Sequence, residues 1–208
     1  YYDHTGQRVL AIGEDDARFW FGERETKYTT AGEEQESMYH IPGAGGTVAR
    51  VTQEGKNAAE IEFQYSDTLQ NLTLSLDRDG QIESSFLYGA FGEVVASIGA
   101  EDHTRRFNGK EDDAATGQRY YGARYYDPLT LRWTSADPKY GFAPDLAQGD
   151  PSRSNVYAFS LNNPIRYYDP DGLDPQNDDA KFKYDVLTTT IDTIDFIGEV
   201  SQDRSMRE

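Results

Sequence analysis

The stretch Arg105–Leu173 reads RRFNGKEDDAATGQRYYGARYYDPLTLRWTSADPKYGFAPDLAQGDPSRSNVYAFSLNNPIRYYDPDGL. It is dense in Tyr, Asp-Pro and turn formers, and it carries the string RYYDP twice, at Arg124–Pro128 and Arg166–Pro170, before ending on Gly172-Leu173. Pro excludes the α region for the residue ahead of it, so each Asp of the string is held extended, as at a strand end. The neighbouring tyrosines bring packing area and hydroxyl donors, which suits short β-strands joined by tight corners. On these grounds Asp127 reads as a hairpin corner.

Charge sets this stretch apart from its flanks. Residues 1–104 hold 19 acidic and 7 basic side chains, residues 105–173 hold 9 and 9, and residues 174–208 hold 9 and 4, giving −12, 0 and −5 of the total −17. Phosphate contacts need clustered Lys and Arg, so this balance argues against nucleic acid and anionic lipid as partners. The surplus carboxylates are expected to solvate an exposed sheet. A mean hydropathy of −0.79 argues against a Leu-rich helical domain and for a core built from aromatics. The sequence has no window of roughly 18 apolar residues, hence no expected membrane span. Cysteine is absent, which excludes disulfides and thiolate metal sites. Tyr1-Tyr2-Asp3 offers neither a starting Met nor the basic and apolar regions of a signal peptide, so the chain is expected to be a fragment of a longer one.

Upstream, residues 1–104 read as successive β-hairpins. Asp3-His4-Thr5-Gly6 and Asp77-Arg78-Asp79-Gly80 are Asp-x-x-Gly turns, the Asp capping the turn and the Gly supplying positive φ. Leu72, Leu74 and Leu76 alternate, which predicts one buried and one wet face. Met38–Ile41 and Thr47–Val51 are further strand candidates, joined by Pro42–Gly46. The glycines of that joint lack the Lys-Ser or Lys-Thr of a phosphate loop and read as a turn. His4, His40 and His103 lie far apart without ligand spacing and are assigned to solvent or turn roles. The reading invokes no metal and no cofactor. Exposed tyrosines beside Asp and Asn also suit a carbohydrate or protein-binding surface, although cross-strand packing is the simpler use for them.

From Tyr88 onward several motifs follow in order: Tyr88–Glu93, Phe107-Asn108-Gly109-Lys110-Glu111 with Asp113, Gly117–Pro128, Arg132-Trp133, Ser135-Ala136-Asp137-Pro138, and Asn162-Asn163-Pro164 through Asp169-Pro170-Asp171-Gly172-Leu173. In this order the chain resembles the end of an RHS or YD-repeat array and its RHS repeat-associated core domain, over about 85 residues. Two departures stand out. Tyr65–Asn71 replaces the family's His-x-Asp-x-x-Gly string, so a different local turn is expected, and the polar connection Lys139–Ser154 is longer than the family's and reads as a surface loop.

The resemblance implies an all-β fold: antiparallel hairpins of a YD-repeat shell over residues 1–87, an inward-curling core domain over 88–173, and a variable C-terminal segment over 174–208. It also implies an intramolecular aspartyl protease that cuts after the Leu of Asp-Pro-x-Gly-Leu, here between Leu173 and Asp174. The matching positions are Asp137 and Asp169 as the carboxylate pair, Arg124 beside them, and Gly172 and Leu173 at the cleavage site. Such a pair divides labour because two adjacent carboxylates cannot both ionise cheaply. Glycine beside the scissile bond lets the backbone approach them closely. Arg132 and Trp133 fit packing as well as function. The implied partners are the upstream repeats, the chain's own C-terminal effector and the components of a bacterial secretion or delivery route. In the tail, Phe182, Val186, Leu187, Ile191, Ile194 and Ile197 have roughly helical spacing, and no catalytic constellation is visible there. The alternative is a shell-closing structural module that does not cut.

Overall fold

The computed structural model describes residues 1–43, 45–99, 103–113, 115–142, 145 and 150–177. The expected tail helix lies outside these residues. Nearly all regular structure is antiparallel β. Nine strands form one open sheet in chain order: β1 (Leu10–Ile12), β2 (Asp16–Phe21), β3 (Arg24–Thr29), β4 (Glu34–Gly43), β5 (Gly46–Glu54), β6 (Glu60–Ser66), β7 (Leu72–Leu76), β8 (Ile82–Tyr88) and β9 (Val94–Gly99). The sheet thus runs past residue 87 and takes in β9. A four-stranded meander follows, β10 (Glu111–Asp112), β11 (Arg119–Tyr120), β12 (Tyr125–Asp127) and β13 (Arg132–Trp133), and then a hairpin of β14 (Tyr167–Tyr168) and β15 (Gln176–Asn177). One short helix, α1 (Pro138–Phe142), interrupts the described strands.

The hairpin corners share one construction. Asp3 Oδ1 accepts from the amides of Thr5 (2.8 Å) and Gln7 (2.9 Å), with Gly6 at φ +85°. Asp77 does the same with Asp79 (2.8 Å) and Gln81 (2.7 Å), with Gly80 at φ +78°. The carboxylate satisfies amides that the turn leaves unpaired, and glycine takes the left-handed position without a Cβ penalty. The departure expected at Tyr65–Asn71 does not occur. Asp67 accepts from Leu69 and Asn71, both at 2.9 Å, and Gln70 stands at φ +65° where the other turns have glycine. The Asp, not the Gly, defines this corner.

The alternation at Leu72, Leu74 and Leu76 also needs correcting. The register shifts between Leu74 and Leu72, so Leu72, opposite Ser66, is buried on the same face as the fully enclosed Ser75, while Leu74 and Leu76 stay half-buried on the other. The covered face is largely polar, with His40 opposite Arg50, Arg50 opposite Glu62, Gln64 opposite Ser75, and Ser75 opposite Ser84, and with Phe86 buried beside them. The chain returns over it after β9, and His103 lies against it with Nε2 2.9 Å from Ser84 Oγ and 3.2 Å from Glu62 Oε1. His40 and His103 are therefore buried network members, not solvent or turn residues. Burial pushes the His40 imidazole below its ordinary pKa, against the pull of Glu25. The opposite face carries Phe63, Tyr65, Leu87 and Ile98, all exposed.

The hydrophobic core sits in the second half and is aromatic, as composition suggested: Phe107, Tyr121, Tyr126, Trp133 and Phe159 are buried together. Tyr121 meets Trp133 edge-on with ring centroids 5.0 Å apart, and Tyr126 lies 4.2 Å from Phe159. The N-terminal hairpin docks on the meander through Arg8, which pairs with Glu111 at 2.7 Å and Asp113 at 2.8 Å and lies over Trp20.

Candidate functional site

Three segments bring the sequence-selected residues together. Arg124 precedes β12, in a corner where the amide of Tyr121 donates to the Arg124 carbonyl at 3.0 Å. Asp137 follows β13 and caps α1: its Oδ1 accepts from the Lys139 amide at 2.9 Å, and Pro138 occupies the first helical position, where no amide is needed. The amide of Asp137 donates to the Val156 carbonyl at 3.0 Å, which fixes this segment against the returning chain. Asp169 opens the loop between β14 and β15, so Asp169–Pro175 is a hairpin loop and the proposed scissile bond lies inside it.

One guanidinium joins them. Arg124 Nη1 lies 3.2 Å from Asp137 Oδ2, Nη2 lies 3.3 Å from Asp169 Oδ2, and Nε donates to the Gly172 carbonyl at 2.5 Å. Arg124 is buried and stacks over the Trp133 ring at 4.2 Å, which gives the Arg132-Trp133 motif its use: Trp133 is the floor beneath the arginine. Arg132 is exposed and opposite Asp127 across β12 and β13.

Asp169 is fully enclosed, whereas Asp137 keeps about a fifth of its side chain exposed, at 21%. Burial lifts the Asp169 carboxyl above the usual range, against the opposing pull of Arg124 and of the Gly172 amide. Its Oδ1 accepts from the amides of Gly172 (2.8 Å) and Leu173 (3.1 Å). Burial lowers the Arg124 pKa, and Asp137 and Asp169 oppose this.

The loop is held residue by residue. Lys110, half-buried, donates from Nζ to the Pro170 carbonyl at 2.5 Å and faces the Tyr121 ring. The Asp171 carbonyl accepts from the Ala123 amide at 3.0 Å. Gly172 stands at φ +77°, and a Cβ there would come within 3.0 Å of the Arg124 nitrogen and 3.2 Å of the Tyr121 Cβ. Asp174 meets Lys139 Nζ at 2.6 Å and Arg153 Nη1 at 2.9 Å. A cavity of about 30 Å³ beside Asp137 is lined by Arg124, Tyr140, Arg153 and Pro175 among others. That is room for about one water molecule.

The sequence singled out Arg124, Asp137, Asp169, Gly172, Leu173 and Asp174, and these meet at this loop. It missed Lys110, although Lys110 stands within the Phe-Asn-Gly-Lys-Glu motif, and it missed Lys139 and Arg153, which lie in the connection read as a surface loop. Asp127 stays apart. Its carboxylate is exposed and accepts from the Leu129 amide at 2.9 Å, which holds it below the usual range as a turn cap. Among the described residues no group of three or more His, Cys, Asp or Glu could hold a metal ion.

No family model matches the chain. It is 34% identical to the toxin subunit YenC2 of Yersinia entomophaga over 197 residues, 84% of this chain and 19% of that protein. It is 28% identical over 177 residues, 82% of this chain and 7% of the relative, to the tRNA3(Ser)-specific nuclease WapA of Bacillus spizizenii. Among solved structures it resembles TcdB2-TccC3-TEV, with a TM-score of 0.67 and 26% identity over 83% of this chain and 9% of that one. A Tc holotoxin pore of Photorhabdus luminescens also matches, with a TM-score of 0.67 and 26% identity over 84% of this chain and 9% of that one. The chain spans at most about a fifth of the length of the curated relatives it matches. In motif order, fold and relatives alike, the chain belongs to the RHS/YD-repeat proteins and carries their RHS repeat-associated core domain.

Proposed function

We propose that this chain is the terminal part of an RHS-type shell and that it cuts itself between Leu173 and Asp174 by an aspartyl-protease mechanism, freeing a C-terminal effector that the shell encloses. In this reading residues 1–87 belong to the repeat sheet, 88–173 to the core domain and 174–208 to the variable segment, within a toxin that a bacterium secretes or delivers. The observation that carries the proposal is the position of Arg124, which reaches both carboxylates and the Gly172 carbonyl at once.

The chemistry assigns different work to the two carboxylates. Water attacks the Leu173 carbonyl carbon while Asp137 takes its proton. Asp169, biased by burial toward its protonated form, polarises the carbonyl oxygen through Oδ2, whose 3.3 Å separation from Arg124 is long for a charge-assisted pair. The tetrahedral intermediate then collapses, the carbon–nitrogen bond breaks, and the proton held by Asp137 passes to the Asp174 nitrogen. One water is consumed, and a Leu173 carboxylate and an Asp174 amine are formed.

The second reading is a shell-closing module without cleavage. One observation favours it: Asp169 accepts from the amides of its own turn, as Asp3 and Asp77 do. Electrophoresis of the purified chain separates the two. Self-cleavage gives two pieces from the natural chain and one from Asp137→Asn. The structural reading gives one piece from both.

A further inference from the structure

Asp174, on the far side of the proposed scissile bond, is gripped by two cations from opposite ends of the connection between Pro138 and Ser154. Lys139 sits in α1 and Arg153 in the 3-10 turn Pro151–Ser154. Lys139 Nζ takes Asp174 Oδ2 at 2.6 Å, and Arg153 Nη1 takes Oδ1 at 2.9 Å, so each carboxylate oxygen has its own donor. Both anchors are themselves fixed. The Lys139 amide donates to Asp137 Oδ1 at 2.9 Å, and the turn that carries Arg153 is capped by Asp150, whose Oδ1 accepts from the Ser152 amide at 3.0 Å and its hydroxyl at 2.6 Å. The clamp is therefore tied directly to one of the two carboxylates and to the residue that follows the cut.

We propose that Lys139 and Arg153 form a specificity site for an acidic side chain at position 174, which positions the scissile bond against Asp137. The inference rests on the self-cleavage reading. A lysine in place of Asp174 would put three cations together, and an alanine would leave Lys139 without its anion and Arg153 with only the longer contact to Asp150 at 3.7 Å. Lys139 and Arg153 are positioning residues in this account, because they act through Asp174 and not on the reacting atoms.

The test follows the full chain as it folds from cell-free synthesis and compares the time course of cleavage in the natural protein, Asp174→Glu, Asp174→Lys, the reversed clamp Lys139→Glu with Arg153→Glu, and the reversed clamp combined with Asp174→Lys. The clamp groups are partly exposed, so the effect expected for Asp174→Lys or the reversed clamp alone is a slowing of roughly three- to tenfold. Asp174→Glu should cut near the natural rate, and combining the reversed clamp with Asp174→Lys should recover most of the loss, while the denaturant midpoints of the same variants in an Asp137→Asn background stay near that of their parent, which a merely structural role would not allow. Equal rates for Asp174→Lys and the natural chain, or no recovery in the combined variant, would overturn the inference. A natural chain that stays whole would instead overturn the cleavage reading. In that event hydrogen exchange over residues 170–177 still decides on the clamp: faster exchange in the reversed clamp and recovery in the combined variant support it, and unchanged exchange refutes it.

Discussion

Arg124 and Asp169 come from the two copies of one string, RYYDP, and meet at 3.3 Å. The copies are identical in sequence and opposite in surroundings. The first supplies its Arg to the buried loop and leaves its Asp, Asp127, at an exposed corner. The second supplies its Asp to the same loop and leaves Arg166 exposed over Tyr167.

That division predicts different outcomes for two matching substitutions. Asp169→Asn should lower the cleavage rate by about 10²–10⁴-fold, the usual contribution of a positioned acid or base. Asp127→Asn should leave cleavage unchanged and cost at most about 1 kcal/mol of stability as a weakened turn cap. Densitometry of timed folding samples measures both. Equal effects would dissolve the distinction between the copies.

Gly172 should tolerate no side chain. Its φ of +77° disfavours L-residues by about 1–2 kcal/mol, and the Cβ would also press on the Arg124 nitrogen at 3.0 Å. Gly172→Ala, in an Asp137→Asn background that keeps the chain whole, should lower the denaturant midpoint accordingly. An unchanged midpoint would mean that the loop does not hold this conformation.

Lys110 is expected to hold the loop through the Pro170 carbonyl. Lys110→Met keeps much of the apolar stem but removes the donor to a part-buried carbonyl, which costs about 1 kcal/mol. If the loop must be fixed for the cut, cleavage should slow by about tenfold or more. Rates matching those of the natural chain would restrict Lys110 to packing against Tyr121.

The contact between the N-terminal hairpin and the meander carries a pH dependence. Burial pushes Glu111 up to about 7, against the opposing charge of Arg8. A carboxyl whose folded pKa lies above its unfolded value binds its proton more tightly when folded. Its contribution is complete below about pH 4.5 and is lost as pH rises through about 7. Chemical denaturation from pH 5 to pH 8 should therefore show stability falling more in the natural chain than in Glu111→Gln. Parallel curves would place Glu111 in an ordinary environment.

Much of this arrangement is legible in the sequence because it rests on local chemistry. Asp-x-x-Gly marks the turns at Asp3 and Asp77, and tyrosine density marks the aromatic core at Tyr121 and Tyr126. The ordered motifs single out Arg124, Asp137 and Asp169. What the sequence hides depends on the later chain folding back over the earlier. Alternating leucines at Leu72, Leu74 and Leu76 suggest an apolar buried face. The face that the returning chain covers is instead the one bearing Ser75, Gln64 and Glu62. His103 has no neighbour in sequence that foretells its contact with Ser84. Lys139 and Arg153 look like ordinary polar loop residues until the hairpin loop brings Asp174 between them. Gln70 shows the converse: a local signal was missing, and the turn formed around Asp67 all the same.

The measurement that bears most directly on the account is the intact mass of the purified chain after native folding, with N-terminal sequencing of any piece released. Self-cleavage predicts masses matching residues 1–173 and 174–208, with the shorter piece beginning Asp174-Pro175-Gln176, and a single intact mass for Asp137→Asn and for Asp169→Asn. A natural chain that stays whole, or a cut at any bond other than Leu173–Asp174, would contradict it.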